Sequence, residues 1–391
     1  MTAALTHNPL PEFLYPGEMI HTVTQDMCDN LLVWAVEKHR ASDIVFSPAD
    51  PIWMQVDGHW TCCTDLPLTK GEVSELVNGF SGQPHQAGNV QTGKSIDFAY
   101  SIRVSRGLMQ RFRVNVTNSN KGPYIVMRSL PTRIPLVEDL FLEEEILRNL
   151  YPNCGLVIVS GVMGSGKSTL LAGAIHTAIR TLGRQILTLE QPIEFDFSNI
   201  SHQERTAPIT QSGVGQHVES WEAGVRSMTR RKGEIVMVGE ARDPETLESM
   251  FWAVEQGVTA YSTVHAQDVP QTVTRIVNAF PEEERPAKAS ILKANSRLLI
   301  HQRLVPRIGR TQEEISRGVP GRIALREFLV FTEDIRRRLY RVSYADLIPT
   351  IREMVSLKGQ SLLQDATKKH RQEMISDESF EAIRDEQEAS K

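Results

Sequence analysis

Cysteine is scarce. Cys28, Cys62, Cys63 and Cys154 are the only four in 391 residues and none forms a CxxC pair, which excludes a disulfide framework and points to a reducing compartment. The adjacent Cys62 and Cys63 read as small strand residues. No run approaches the roughly 18 to 20 apolar residues that cross a bilayer. The opening stretch MTAALTHNPLPEFLYPG lacks a basic region followed by an apolar core, so no signal peptide is expected. Membrane association is therefore expected only through partners. A charge excess of one sign is missing as well: 43 basic residues against 48 acidic ones give a formal charge of −5, which offers no general attraction to nucleic acid or anionic lipid. Aromatic residues make up 6% of the chain and form no basic groove with interleaved rings, so direct nucleic-acid binding is not expected. The basic clusters RTLGR, TRRKG and DIRRRLYR read as solvated faces. No internal repeat is present.

What remains is an ordinary soluble composition, 40% hydrophobic and 23% charged, in a chain longer than one core usually serves. The first part reads as a small mixed domain. Thr24 to Arg40 has helical spacing, ASDIVF follows as a strand, and Asp57-Gly58 makes a hairpin turn. Ile96, Phe98, Tyr100 and Ile102 alternate, as do Phe112, Val114 and Val116, which predicts half-buried antiparallel strands. With those three facing the core, Arg111 and Arg113 point to the other side, and Arg128 on the partner strand YIVMRSL can join them. A solvated strand face explains the three arginines equally well at this point.

The two prolines of SLPTRIP mark a linker over 129–135, between a domain at 1–128 and another at 136–345. In the second domain VEDLFLEEEILRNL reads as a helix. Apolar strands then alternate with helices, the pattern of a parallel sheet covered on both faces. Residues 346–391 read as a helical region ending in a frayed polar tail.

Gly161-x4-Gly166-Lys167-Ser168 follows a buried strand and precedes a helix, which is the P-loop pattern in its required place. Glycines let backbone N–H groups close around phosphates, and the helix N-terminus adds positive potential. Lys167 would reach the β- and γ-phosphates of ATP and Ser168 would hold Mg²⁺; Gly161, Met163, Gly164, Ser165, Gly166 and Thr169 complete the binding loop. Glu240 emerges from the apolar strand IVMV, at the end where open α/β sheets place ligands, and is the candidate for activating the attacking water. Asp243-Pro244 reads more simply as a helix N-cap and first helical residue. Glu190 ends QILTLE, and Thr263 and His265 end VTAYSTVH. A γ-phosphate contact and a bland role are both open for His265.

These residues resemble the secretion-superfamily ATPases of type IV secretion, type II secretion and twitching motility. The resemblance covers most of the chain: ASDIVFSP, VDG and RFRVN in the first domain, GVMGSGKST as Walker A, TLEQPIEF as the acidic box, VMVGEARDPET as Walker B and STVHAQD as the histidine box. It implies an α/β fold, a RecA-like P-loop domain with a smaller PAS-like α+β domain before it, assembled as a homo-hexamer. It implies that Glu240 is the catalytic glutamate, that Glu190 supports metal and water, and that His265 contacts the γ-phosphate region. Arg113 and Arg128, with Arg111 beside them, would approach the nucleotide during closure, their guanidinium groups offsetting developing charge.

Several departures narrow the branch. Gln191 stands where the acidic box usually has Asp, RKGE replaces the usual acidic turn before Walker B, and no CxxC zinc module follows the histidine box. QRLVP and ALREFLVF look closest to the type IVB branch, the Dot/Icm-type and IncI-plasmid conjugation ATPases; RIGRTQEEISRGVPGR between them reads as a surface loop. The tail YADLIPTIREMVSLKGQSLLQDA has a faint likeness to retraction motors. The expected function is a cytoplasmic ring ATPase recruited to inner-membrane secretion-complex ATPases or channel proteins, with a pilus-retraction motor as the alternative. A nucleic-acid motor and a non-hydrolysing scaffold are the competing classes.

Overall fold

A computed structural model describes residues 11–17, 23–56, 58–105, 108–241, 243–309 and 321–389, and the structural statements here concern those residues. They fall into two compact units, Met1–Arg133 and Ile134–Lys391, each described by itself.

Unit 1 runs α1 (Gln25–His39), β1 (Asp43–Phe46), β2 (Trp53–Val56), β3 (His59–Cys62), α2 (Lys70–Ser81), α3 (Gln86–Gln91), β4 (Ile96–Ser105), β5 (Leu108–Ser119) and β6 (Gly122–Leu130). The Thr24 hydroxyl caps α1 by accepting from the Met27 N–H, and Thr69 and Glu72 form a reciprocal capping box on α2. The described strands make an antiparallel sheet in the order β3-β2-β1-β6-β5-β4. Period-2 alternation works as expected: Phe112, Val114 and Val116 are fully buried and pack with Leu31, Leu76 and Phe80 of the helices. Val56 pairs with His59 across the β2-β3 turn, although Asp57 of the expected hairpin lies outside the described residues. β6 continues through Leu130, which is buried opposite Arg111, so the stretch read as a linker from Ser129 begins inside a strand.

Unit 2 contains α4 (Glu144–Asn149), β7 (Gly155–Ser160), α5 (Lys167–Thr181), β8 (Ile186–Glu190), β9 (Ile209–Gly213), α6 (Trp221–Arg230), β10 (Ile235–Val238), α7 (Pro244–Glu255), β11 (Thr259–Val264), α8 (Val269–Asn278), α9 (Arg285–Asn295), β12 (Ser296–Pro306), β13 (Arg322–Val330), α10 (Glu333–Tyr340), α11 (Leu347–Lys358), α12 (Leu362–Arg371) and α13 (Asp377–Ala389). Its described sheet has the order β13-β12-β7-β11-β10-β8-β9. All neighbours are parallel except β12 and β13, so the sheet is mixed rather than wholly parallel: no described helix separates these two strands, and the chain returns alongside itself. The interior strands β7, β10 and β11 are buried throughout, as helices on both faces require.

Three further expectations are corrected. VEDLFLEEEILRNL is not one helix: a 3₁₀ turn spans Val137–Leu140, Phe141 has φ 48°, and α4 starts only at Glu144. The Leu140 and Phe141 carbonyls accept from the Arg326 guanidinium, which holds that backbone out of a helical ladder. The polar tail is not frayed, because Ile375 and Ile383 are buried with Val305, Ile323 and Leu325 in a separate apolar cluster, a spacing masked by the charges around them. Arg184 of RTLGR is no solvated charge, since its guanidinium donates to the carbonyls of Pro152, Asn153 and Glu234 and to the Thr259 hydroxyl. The surface loop expected at RIGRTQEEISRGVPGR falls largely outside the described residues.

Two predictions follow from this packing. Tyr261, 1% exposed on β11, donates to the Leu150 carbonyl at 2.7 Å. Tyr261→Phe leaves that carbonyl unsatisfied and should lower unfolding free energy by about 1–3 kcal/mol in urea titration; an unchanged midpoint would contradict the assignment. His301 and Glu327 are register partners on β12 and β13. Burial pushes the His301 imidazole down to about 4, with Arg303 and Lys167 acting in the same direction. Burial pushes the Glu327 carboxyl up to about 7 against the N–H it accepts from Val269. A raised carboxyl holds its proton longer in the folded state, so its stabilisation is complete below the unfolded value of about 4.3 and is lost as pH rises through about 7. Glu327→Gln, which retains an acceptor for Val269, should therefore gain stability relative to the parent as pH rises through that window, read from urea midpoints at each pH.

Candidate nucleotide site

The chain leaves β7 through residues 161–166 and enters α5 at Lys167. Gly161, Gly164 and Gly166 have φ of 152°, 74° and 84°. Two of them are also fixed by close approach. A Cβ on Gly161 would lie 2.4 Å from the Gln302 carbonyl oxygen, and one on Gly166 would lie 2.8 Å from Gln302 Nε2. No side chain caps α5, which leaves its first-turn N–H groups without a side-chain acceptor, the arrangement that suits an anion. Met163 and Ser168 are exposed, Thr169 is half-buried and Ser165 is buried.

Lys167 is only 8% exposed, and its Nζ donates to the carbonyls of Gly161 and Val162, each at 2.8 Å. Burial lowers its pKa, opposed by Glu240 and Glu194. Both carboxylates therefore act on the lysine that would meet the phosphates.

Glu240 stands two residues past β10, and main-chain pairing fixes its position. The Gly239 N–H donates to the Leu189 carbonyl on β8, and the Ala241 N–H to the Thr263 carbonyl on β11. The Thr263 hydroxyl donates to the Gly239 carbonyl at 2.6 Å, so Thr263 serves the backbone around Glu240. His265, one residue past β11, places Nε2 at 3.3 Å from Glu240 Oε1. Asp243 caps α7 through the Thr246 N–H, with Pro244 as first helical residue.

Glu190 is more deeply buried than its strand-end position implies, at 6% exposure. Its carboxylate accepts from the Thr188 hydroxyl at 2.7 Å, Gln211 Nε2 at 3.0 Å and the Glu194 N–H at 3.4 Å. Burial raises its pKa, and these three donors counter the shift. The geometry makes Glu190 an anchor for the turn that carries Glu194. Glu194 is the residue that sequence reading passed over, although it stands inside the quoted TLEQPIEF; its pull on Lys167 is the signal that finds it.

In unit 1, Arg113 and Arg128 are directly opposite each other across β5 and β6, both exposed, with Arg111 half-buried on the same strand face. Arg128 Nε donates to Asp43 at 2.9 Å, and Arg113 lies 3.9 Å from Asp97. The shared arginine face read from the alternation is thus present in the sheet, with a carboxylate on either flank.

A family model described as Type II/IV secretion system protein matches residues 97–384. The type IV pilus retractation ATPase PilT of Pseudomonas aeruginosa is 30% identical over 325 residues, covering 83% of this chain and 89% of that protein. Among solved structures, the ATPase DotB of Legionella pneumophila aligns with a TM-score of 0.82 at 34% identity, over 95% of this chain and 98% of that one. The pilus retraction motor PilT with bound ADP aligns with a TM-score of 0.76 at 27% identity, over 90% and 95%. These likenesses give the architecture, a RecA-like P-loop domain preceded by a smaller N-terminal domain. Among the described residues, no helix is long and apolar enough to cross a membrane. Because the family match begins within β4 and ends within α13, it takes in the arginine-bearing strands and the phosphate loop alike: the chain belongs to the Type II/IV secretion system protein family.

Proposed function

We propose that the protein is an ATP hydrolase that drives assembly or substrate transport by a type IVB, Dot/Icm-like or conjugative, secretion system. The observation that carries the enzymatic part is the position of Glu240, 3.3 Å from His265 and acting on the buried Lys167 of the phosphate loop. In this reading the loop from Gly161 to Thr169 binds the triphosphate, and Lys167 exchanges its two carbonyl partners for phosphate oxygens. Glu240 accepts a proton from water as the water oxygen bonds to the γ-phosphorus and the bond to ADP breaks. His265 orients Glu240 and meets the γ-phosphate side. Glu190 holds the turn that presents Glu194 to the same region. Arg113 and Arg128 supply positive charge on closure.

The residues fit Mg²⁺ carried with ATP: Ser168 is exposed beside Lys167, and Glu240 and Glu194 act on that lysine. Ser168 would hold the ion, with Glu190 and Glu240 reaching it through water, and the ion would neutralise phosphate charge. The working assembly is a homo-hexamer in the cytoplasm, recruited to the inner membrane by channel proteins or partner ATPases of the secretion complex. The 34% identity with DotB and the blocks QRLVP and ALREFLVF favour type IVB secretion. The 30% identity with PilT supports pilus retraction as the second reading, and neighbouring channel or pilin genes would separate the two.

Phosphate release by the purified protein tests the chemistry. Lys167→Ala and Glu240→Gln should each reduce turnover by at least about a hundredfold, and normal turnover in either would refute the site. Glu240→Gln should still bind ATP. Arg113→Ala, which removes a long, exposed ion pair with Asp97, should slow hydrolysis by about tenfold or more with an unchanged unfolding midpoint; undiminished turnover would remove the arginine role.

A further inference from the structure

The segments QRLVP and ALREFLVF, so far marks of resemblance, meet behind the phosphate loop. Gln302 on β12 and Arg326 on β13 are register partners, and each is 3% exposed. Gln302 Nε2 donates to the Ser165 carbonyl at 2.7 Å, while its Oε1 accepts from Arg326 Nε at 2.9 Å. The same glutamine is the group that a Cβ on Gly161 or Gly166 would strike, so it bounds the loop at three residues.

Arg326 extends the connection away from the loop. Its other nitrogens donate to the Phe141 carbonyl at 3.0 Å, the Leu140 carbonyl at 2.9 Å and the Glu143 carboxylate at 3.3 Å. Glu143 also accepts from Lys369 Nζ at 3.1 Å, and Lys369 donates to Asp365 at 2.5 Å. Asp365 in turn accepts the Arg326 backbone N–H at 2.8 Å. Two cations and two anions are thus buried together, with Lys369 and Asp365 on α12. Buried ion groups of this kind are often no more stabilising than apolar packing of the same volume, so stability alone is a weak reason for them. Contact with the phosphate loop is a stronger one.

We propose that Gln302 is a positioning residue that holds the phosphate loop in the turn required for nucleotide, and that Arg326, Glu143 and Lys369 tie that turn to α12, making nucleotide affinity depend on the C-terminal helices. The inference rests on the reading of GVMGSGKST as a nucleotide site. The test is titration of the full chain with a fluorescent ADP analogue and Mg²⁺, well below each variant's unfolding midpoint. Gln302→Glu preserves size and an acceptor for Arg326 but cannot donate to Ser165, and should weaken binding about tenfold. Lys369→Met, whose nitrogen has no contact with the loop, should weaken it about two- to thirtyfold, with Lys369→Arg restoring affinity. The double variant should lose less than the product of the two effects. Wild-type affinity in a folded Gln302→Glu or Lys369→Met protein would overturn the proposal, and Lys369→Met carries the test should Gln302→Glu not fold. Failure of the parent protein to bind the probe would instead refute the nucleotide reading itself.

Discussion

The nucleotide site depends on main-chain pairing in the middle of the unit 2 sheet. β11 lies between β7 and β10, and β8 lies beyond β10. Ser160 pairs with Val264, and Val238 pairs with both Ser262 and Leu189. That register brings the phosphate loop, His265, Glu240 and Glu190 to one edge of the sheet. A one-residue slip would reverse the side-chain direction of a whole strand, so burial of both sheet faces protects the chemistry as well as the fold. It also explains why the loop after β10 is held by hydrogen bonds from both neighbouring strands.

How much of this was legible in the sequence follows from the range of the interaction involved. The phosphate loop, the Asp243 cap and the alternation of Phe112, Val114 and Val116 are local patterns, and each sits where its pattern places it. The shared face of Arg113 and Arg128 followed from alternation plus a turn. What escaped depends on partners far along the chain. Nothing within TLEQPIEF says that Gln211 will occupy Glu190, nor does RTLGR announce that Arg184 binds three carbonyls on two other segments. The interruption at Phe141 is likewise imposed by Arg326, and helical propensity over residues 137–150 contains no trace of it.

Charge is handled differently in the two units. On the unit 1 sheet, two arginines stand directly opposite each other, an unfavourable like-charge pairing, and Asp43 and Asp97 draw them toward opposite flanks. In unit 2 the register partners His301 and Glu327 on β12 and β13 are instead buried: His301 is held neutral, and Glu327 has its carboxyl raised to about 7.

The Glu143 to Lys369 ion pair joins residues 226 apart in sequence. During synthesis, Ser165 and the strand before it leave the ribosome long before the helix that completes this buried group. The loop that reads most plainly in the sequence therefore gains its rear support late, and a nascent chain would pass through a stage with the P-loop made but unbraced.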